Sequence, residues 1–182
     1  MAISIKSSPR SKTEQYATLH ELLILKLRVL HDVETQLTKA LPKMAKAATD
    51  TKLKEAFTLH LEETQQQVER IEQALELAGD SAKKKEKSEA IRGLIEDAEW
   101  CIKNIKDEAA RDAALLASAQ YVEHYEIAGY GTARAWSELM GHSEIVSLLE
   151  ETLAEEELTD TKLTDLAEST INEKVEMGHE QE

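Results

Sequence analysis

Seven metal-capable side chains lie on or beside apolar helical stripes: Glu34, His60, Glu63, Glu123, Glu126, Glu156 and Asp160. A carboxylate taken out of water without a partner costs on the order of several kcal/mol. It must be protonated, paired with a base or bound to a cation. Lys and Arg are nearly absent from these stripes, so a salt-bridged core lacks its bases. His60 with Glu63, Glu123 with Glu126, and Glu156 with Asp160 stand three or four residues apart, on one face of a helix, and His31 with Glu34 shares that spacing. Inward carboxylates from four facing helices build a two-metal site in a bundle core. The competing reading places the acids at stripe edges, reaching water. Glu63 and Glu126 lie about 80° from their stripe centres and are open to it; Glu34 lies within about 60°, and Glu123 and Glu156 lie near the centre.

The elements that must carry these residues are long helices. The first stripe runs through Leu19, Leu23, Leu27, Leu30, Leu37, Leu41 and Met44, with Thr13 as the expected cap. Pro42 falls inside it and is expected to kink the helix without ending it. The second starts at a cap on Thr49 or Asp50 and stops at Gly79; its stripe Leu53, Phe57, His60, Thr64, Gln67, Ile71, Leu75 is polar in the middle. A charged linker, GDSAKKKEK, leads to a shorter amphipathic helix over 89–104. The third long helix spans 107–140, Gly141 breaks it, and Ser143 is expected to cap the fourth. Short links make each long pair an antiparallel hairpin. A long link between hairpins predicts an all-α, up-down-down-up, ferritin-like four-helix bundle with a short extra helix in the crossover. The expected boundaries are a flexible arm over 1–12, a bundle over 13–171 and a loose tail over 172–182.

Composition agrees. The chain of 182 residues is rich in Ala, Leu, Glu and Lys, with 4% aromatics. Its net charge of -14 disfavours nucleic acid and anionic membrane surfaces as partners. No apolar run is long enough to span a bilayer. One cysteine, Cys101, excludes an internal disulfide and fits a reducing cytoplasm, where it would pack as a small apolar group. Tyr121, Tyr125 and Tyr130 are expected to pack, Tyr130 with a further option as a redox neighbour of a metal. Trp100 and Trp136 either pack or anchor a dimer face. The single Glu-x-x-His, at Glu176 and His179, falls beyond the helical pattern and carries no weight.

The run VEHYEIAGYGT over 122–132 resembles the YciE/YciF family of ferritin-like bacterial proteins, as do ALPKM (40–44), HLEET (60–64), GLIE (93–96), RDAAL (111–115) and ETLAEE (151–156). The resemblance covers residues 14–172. It implies a ferritin-like bundle, often dimeric, with a di-iron centre and a link to bacterial stress responses. It places metal candidates at Glu34, Glu63, Glu123, Glu126 and Asp160, with one glutamate of 155–157. Wheel position favours Glu156; Glu157 is the rival, because with Asp160 it copies the i, i+3 spacing of the superfamily's Glu-x-x-His. That motif is absent from both core helices that usually carry it. A carboxylate-rich shell with little imidazole suits iron, or manganese, better than copper or zinc.

Two readings of function follow. One is a dinuclear iron or manganese protein, a homodimer acting on peroxide or oxygen, that oxidises ferrous iron or removes peroxide. The other is a non-catalytic stress protein whose metal or dimer interface only stabilises the bundle. The first reading makes the chain an oxidoreductase and the second gives it no catalysis.

Overall fold

Thr18 sets the start of the first helix. Its hydroxyl accepts from the Glu21 amide, and the Glu21 carboxylate accepts from the Thr18 amide. This reciprocal cap replaces the one expected at Thr13. The computed structural model describes residues 16–179, so Thr13 and the expected arm over 1–12 lie outside the described residues. The helices are α1 (Leu19–Ala47), α2 (Thr51–Leu77), α3 (Glu89–Asn104), α4 (Glu108–Leu139), α5 (Ser143–Leu166) and α6 (Asn172–His179), with a π-helical turn over Ala167–Ile171. Asp50, Ser88 and Asp107 cap α2, α3 and α4 through their side chains. Ser143 is the first helical residue of α5, and His142 holds the cap position without a side-chain bond, which corrects the cap expected there. α1 continues through Pro42 to Ala47.

The order of the helices follows from who meets whom. α1 packs on α2, α4 on α5, α2 on α5 and α1 on α4. Asp112, early in α4, touches Thr49 and Asp50 at the α1–α2 turn, so α4 starts where α1 ends. Lys174 on α6 reaches the same Asp50, so the chain returns to that end. The arrangement is up-down-down-up. α3 lies in the crossover: Ser88 meets Asp32 at mid-bundle, and Glu99 pairs with Lys43 towards the shared turn. Glycine matters most at Gly129, where a Cβ would stand 2.9 Å from Leu30 Cδ2; its absence lets α1 and α4 close.

The apolar core has two parts. One, near the α1–α2 turn, gathers Leu37, Leu41, Leu53, Phe57, Leu115 and Leu163. The other, at the opposite end, gathers Leu23, Leu27, Ile71, Leu75, Ile145 and Leu149. Buried polar residues lie between them: Glu34, His60, Thr64, Gln67, Glu123, Glu126, Thr152 and Glu156. Cys101 and Trp136 pack against these clusters, whereas Trp100 and Tyr121 are exposed, which corrects the packing expected of Tyr121. Past residue 171 the apolar pattern fades, but the backbone stays helical to His179. Helical backbone over Asn172–His179 thus stands where a loose tail was expected, and the Lys174 ion pair with Asp50 ties it to the α2 cap.

Asp112 clips this frame together. It is 2% exposed and accepts from the Thr49 amide at 2.9 Å, the Thr49 hydroxyl at 2.6 Å and the Asp50 amide at 2.7 Å. Hydrogen bonds to a charged group contribute about 1.5–3 kcal/mol. Asp112→Ala is expected to lower the unfolding free energy by about that amount in chemical denaturation. A loss under about 0.5 kcal/mol would show that the turn holds without it.

Candidate metal centre

Three long helices bring four metal-capable side chains together at mid-bundle. One donor atom from each of His60 (α2), Glu123 and Glu126 (α4) and Glu156 (α5) lies within 4.8 Å of every other. His60 Nε2 stands 3.3 Å from Glu123 Oε1 and 3.9 Å from Glu156 Oε2, and Nδ1 stands 3.6 Å from Glu63 Oε2. Glu34, on α1, is wholly buried alongside and accepts from the Tyr130 hydroxyl. Gln67, two turns beyond His60, donates to Glu156 Oε1 and, at 3.0 Å, to Glu155 Oε2. Thr64 hides its hydroxyl by donating to the His60 carbonyl at 2.7 Å.

Burial dominates the electrostatics. It raises Glu34 to about 8, with Glu156 adding to the rise and Tyr130 opposing it. It also pushes Glu123, Glu126 and Glu156 up, against the His60 cation in the case of Glu123 and Glu156. Burial alone would lower His60, but Glu123, Glu63, Glu156 and Glu34 outweigh it and carry the ring to about 10. Glu63 is the exception. It sits at the solvent edge, 22% exposed, and His60 holds it below the ordinary carboxylate range.

These residues fit a metal because their inward polar atoms are left unsatisfied. Glu34 Oε2, Glu123 Oε2, both oxygens of Glu126, Glu156 Oε2 and both His60 nitrogens are buried with no hydrogen-bond partner. Buried polar atoms in folded proteins are almost always satisfied. One imidazolium balances one carboxylate, and four stand here: Glu34, Glu123, Glu126 and Glu156. Among the described residues no Lys or Arg pairs with any of them. Oxygen donors with a single imidazole suit iron or manganese.

The sequence-derived candidates divide accordingly. His60, Glu123, Glu126 and Glu156 form the cluster, Glu34 adjoins it, and Glu63 stands at its rim. Glu126 is 0% exposed although its wheel position lies at a stripe edge, because α4 is covered by both α1 and α5. Asp160 stays outside: it faces His124 at 3.5 Å and Gln120 at 3.4 Å, partly exposed. Glu157 is exposed, so Glu156 is the inward residue of its run. Sequence reasoning missed the Arg70–Glu155 pair, whose two bonds measure 2.6 and 2.7 Å. Its only signal was a base near Gln67, and no pattern along one helix names a partner 85 residues away.

Comparison with known proteins agrees with this frame. The profile of the family described as "Domain of unknown function (DUF892)" matches residues 18–176. Protein YciF of Escherichia coli (strain K12) is 46% identical over 159 residues, which cover 87% of this chain and 96% of that protein. The crystal structure of the E. coli stress protein YciF superposes with a TM-score of 0.82, covering 86% of this chain and 99% of that one. YcfI from Rhodopseudomonas palustris is 44% identical with a TM-score of 0.81, covering 84% and 97%. A Xanthomonas campestris protein, 21% identical with a TM-score of 0.68 and coverage of 89% and 99%, shares the fold.

Two outcomes follow for the metal-free protein. Glu34 is raised from 4.5 to about 8 and His60 from 6.5 to about 10. Both favour the protonated fold, so their stabilisation is whole below the ordinary values and is lost as pH rises through about 8 and then about 10. Thermal unfolding from about pH 5 to 9 is expected to show falling stability without metal and a reversed slope with excess manganese, which binds deprotonated ligands. A flat metal-free profile would contradict this. Glu126→Leu removes two unsatisfied oxygens and should stabilise the metal-free protein by about 1 kcal/mol or more while ending metal uptake. Destabilisation in chemical denaturation would count against it.

Proposed function

The chain belongs to the DUF892 family, and from that premise and its core geometry we propose that it is a bacterial stress-response protein that binds two iron ions, or manganese, between its helices. The observation that carries the reading is the layer of unsatisfied carboxylate oxygens closed between two apolar clusters. Its similarity to the E. coli stress protein YciF supports the stress role. Glu34, Glu123, Glu126, Glu156 and His60 would hold the ions, and Glu63, partly open to water, would complete the rim. Iron held there would supply the chemistry of a two-electron donor, able to take one peroxide to two waters with uptake of two protons. The chain's own part is to hold charge and exclude water. The apolar clusters above and below the layer keep bulk solvent out, which strengthens each ion–carboxylate attraction. Tyr130 donates its hydroxyl proton to Glu34 Oε1 and fixes that carboxylate's orientation. The substrates in this reading are ferrous iron and peroxide or oxygen.

A second reading has one observation in its favour. The cluster side chains are 0–4% exposed, so the layer is closed to solvent in this conformation. In that reading the ions only brace the bundle.

Metal content of protein purified without chelator separates the readings, measured on wild type and Glu123→Ala. About two iron or manganese ions per chain, lost in the variant, is the expected result. Metal-dependent oxidation of ferrous iron by peroxide then supports the catalytic reading; retention of metal without such oxidation leaves the bracing one. Absence of metal from wild type, with unchanged thermal stability on adding it, would sink both.

A further inference from the structure

We propose that Gln67 is a positioning residue that restricts Glu156 to one metal bond, and that Arg70 and Glu155 lock it in that pose. The inference rests on the metal-centre reading above. A carboxylate with both oxygens free can take two metal bonds. Glu156 does not have both free: its Oε1 accepts from Gln67 Nε2, while Oε2 is unpartnered and lies 3.9 Å from His60 Nε2. The same amide nitrogen donates to Glu155 Oε2 at 3.0 Å, so both of its protons face carboxylate oxygens. Turning the amide over would set its carbonyl oxygen against two acids. The orientation is therefore forced even though Gln67 Oε1 is left buried without a partner.

Glu155 is itself anchored. Two guanidinium nitrogens of Arg70 reach its two oxygens at 2.6 and 2.7 Å, and Arg70 also meets Thr152 Oγ1 at 3.2 Å and Glu151 at 3.0 Å. A planar fork on a carboxylate fixes direction as well as charge. The chain Arg70–Glu155–Gln67–Glu156 thus runs from the rim of the bundle to the ligand layer and leaves Glu156 one free oxygen. Tyr130 does the same to Glu34 by occupying its Oε1. Glu126 meets only its fellow acid Glu34, and no donor from outside the cluster occupies either of its oxygens. The donors outside the cluster thereby sort the acids: Glu34 and Glu156 offer one bond each, and Glu126 offers two.

The test uses Gln67→Met, which keeps length and bulk but removes both donors, and Arg70→Met, which leaves the amide but unlocks it. Apoprotein is titrated with manganese(II) by calorimetry, and carboxylate stretching bands are recorded by infrared difference spectroscopy on glutamate labelled with ¹³C. In Gln67→Met two ions should still bind, one of them about 10–100-fold more weakly, the usual cost of losing a residue that orients a ligand. The gap between antisymmetric and symmetric stretches should narrow as Glu156 gains a second bond. Arg70→Met should move both readouts in the same direction by less, and it carries the test if Gln67→Met does not fold. Unchanged affinity and bands, with only the melting temperature of the apoprotein shifted, would give Gln67 a packing role and overturn the proposal. A wild type that takes up no manganese would instead overturn the metal-centre reading itself.

Discussion

Charge balance in one buried layer governs this protein. Four glutamates and one histidine meet in water-excluded space, and a single imidazolium cannot neutralise them all. Several features of the bundle answer to that constraint. Burial pushes the acids towards their neutral forms, and the acids in turn make His60 a stronger base. The hydrogen bonds that do exist in the layer come from neutral donors, Tyr130 and Gln67, which orient a carboxylate without cancelling its charge. The negative charge left over is of the kind that bound cations would offset.

The helices, their faces and their pairing were legible because periodicity reports directly on burial. Glu34, His60, Glu123 and Glu156 could be read as inward for the same reason. Glu126 could not be separated from an edge residue, since its burial depends on α1 closing over α4 at Gly129, a tertiary fact. Asp160 is the opposite case. Its spacing from Glu156 suits a ligand, yet the α4–α5 packing turns it towards His124 and Gln120. The Arg70–Glu155 clamp was invisible for a third reason: it links two helices that a single-helix wheel treats separately. Helix ends were the least legible. Thr18 rather than Thr13 begins α1, because the reciprocal partner Glu21 stands three residues on, and helical backbone persists past 171 where the apolar pattern has stopped.

The connections do their part by holding the layer's walls in register. Asp112 ties α4 to the α1–α2 turn, and Asp32 receives the Ser88 amide at 2.9 Å where the crossover joins the bundle. The Ser88 hydroxyl and Tyr125 hydroxyl, 3.1 Å apart, add α4 to the same junction. α3 contributes no ligand. Its role is to cover the α1–α4 face and deliver α4 in the direction that points Glu123 and Glu126 inward.

The division of the core into two apolar clusters has a mechanical consequence. Each cluster gathers its own set of side chains, and among the described residues the four long helices are the rods shared between them. The ligand layer is then the weakest cross-section of the rod bundle when no cation braces it. Amide hydrogen exchange in the middle turns of these helices should therefore be faster than in the turns that carry the two apolar clusters. A bound ion pair would act as a weld across that section and join two half-bundles into one unfolding unit.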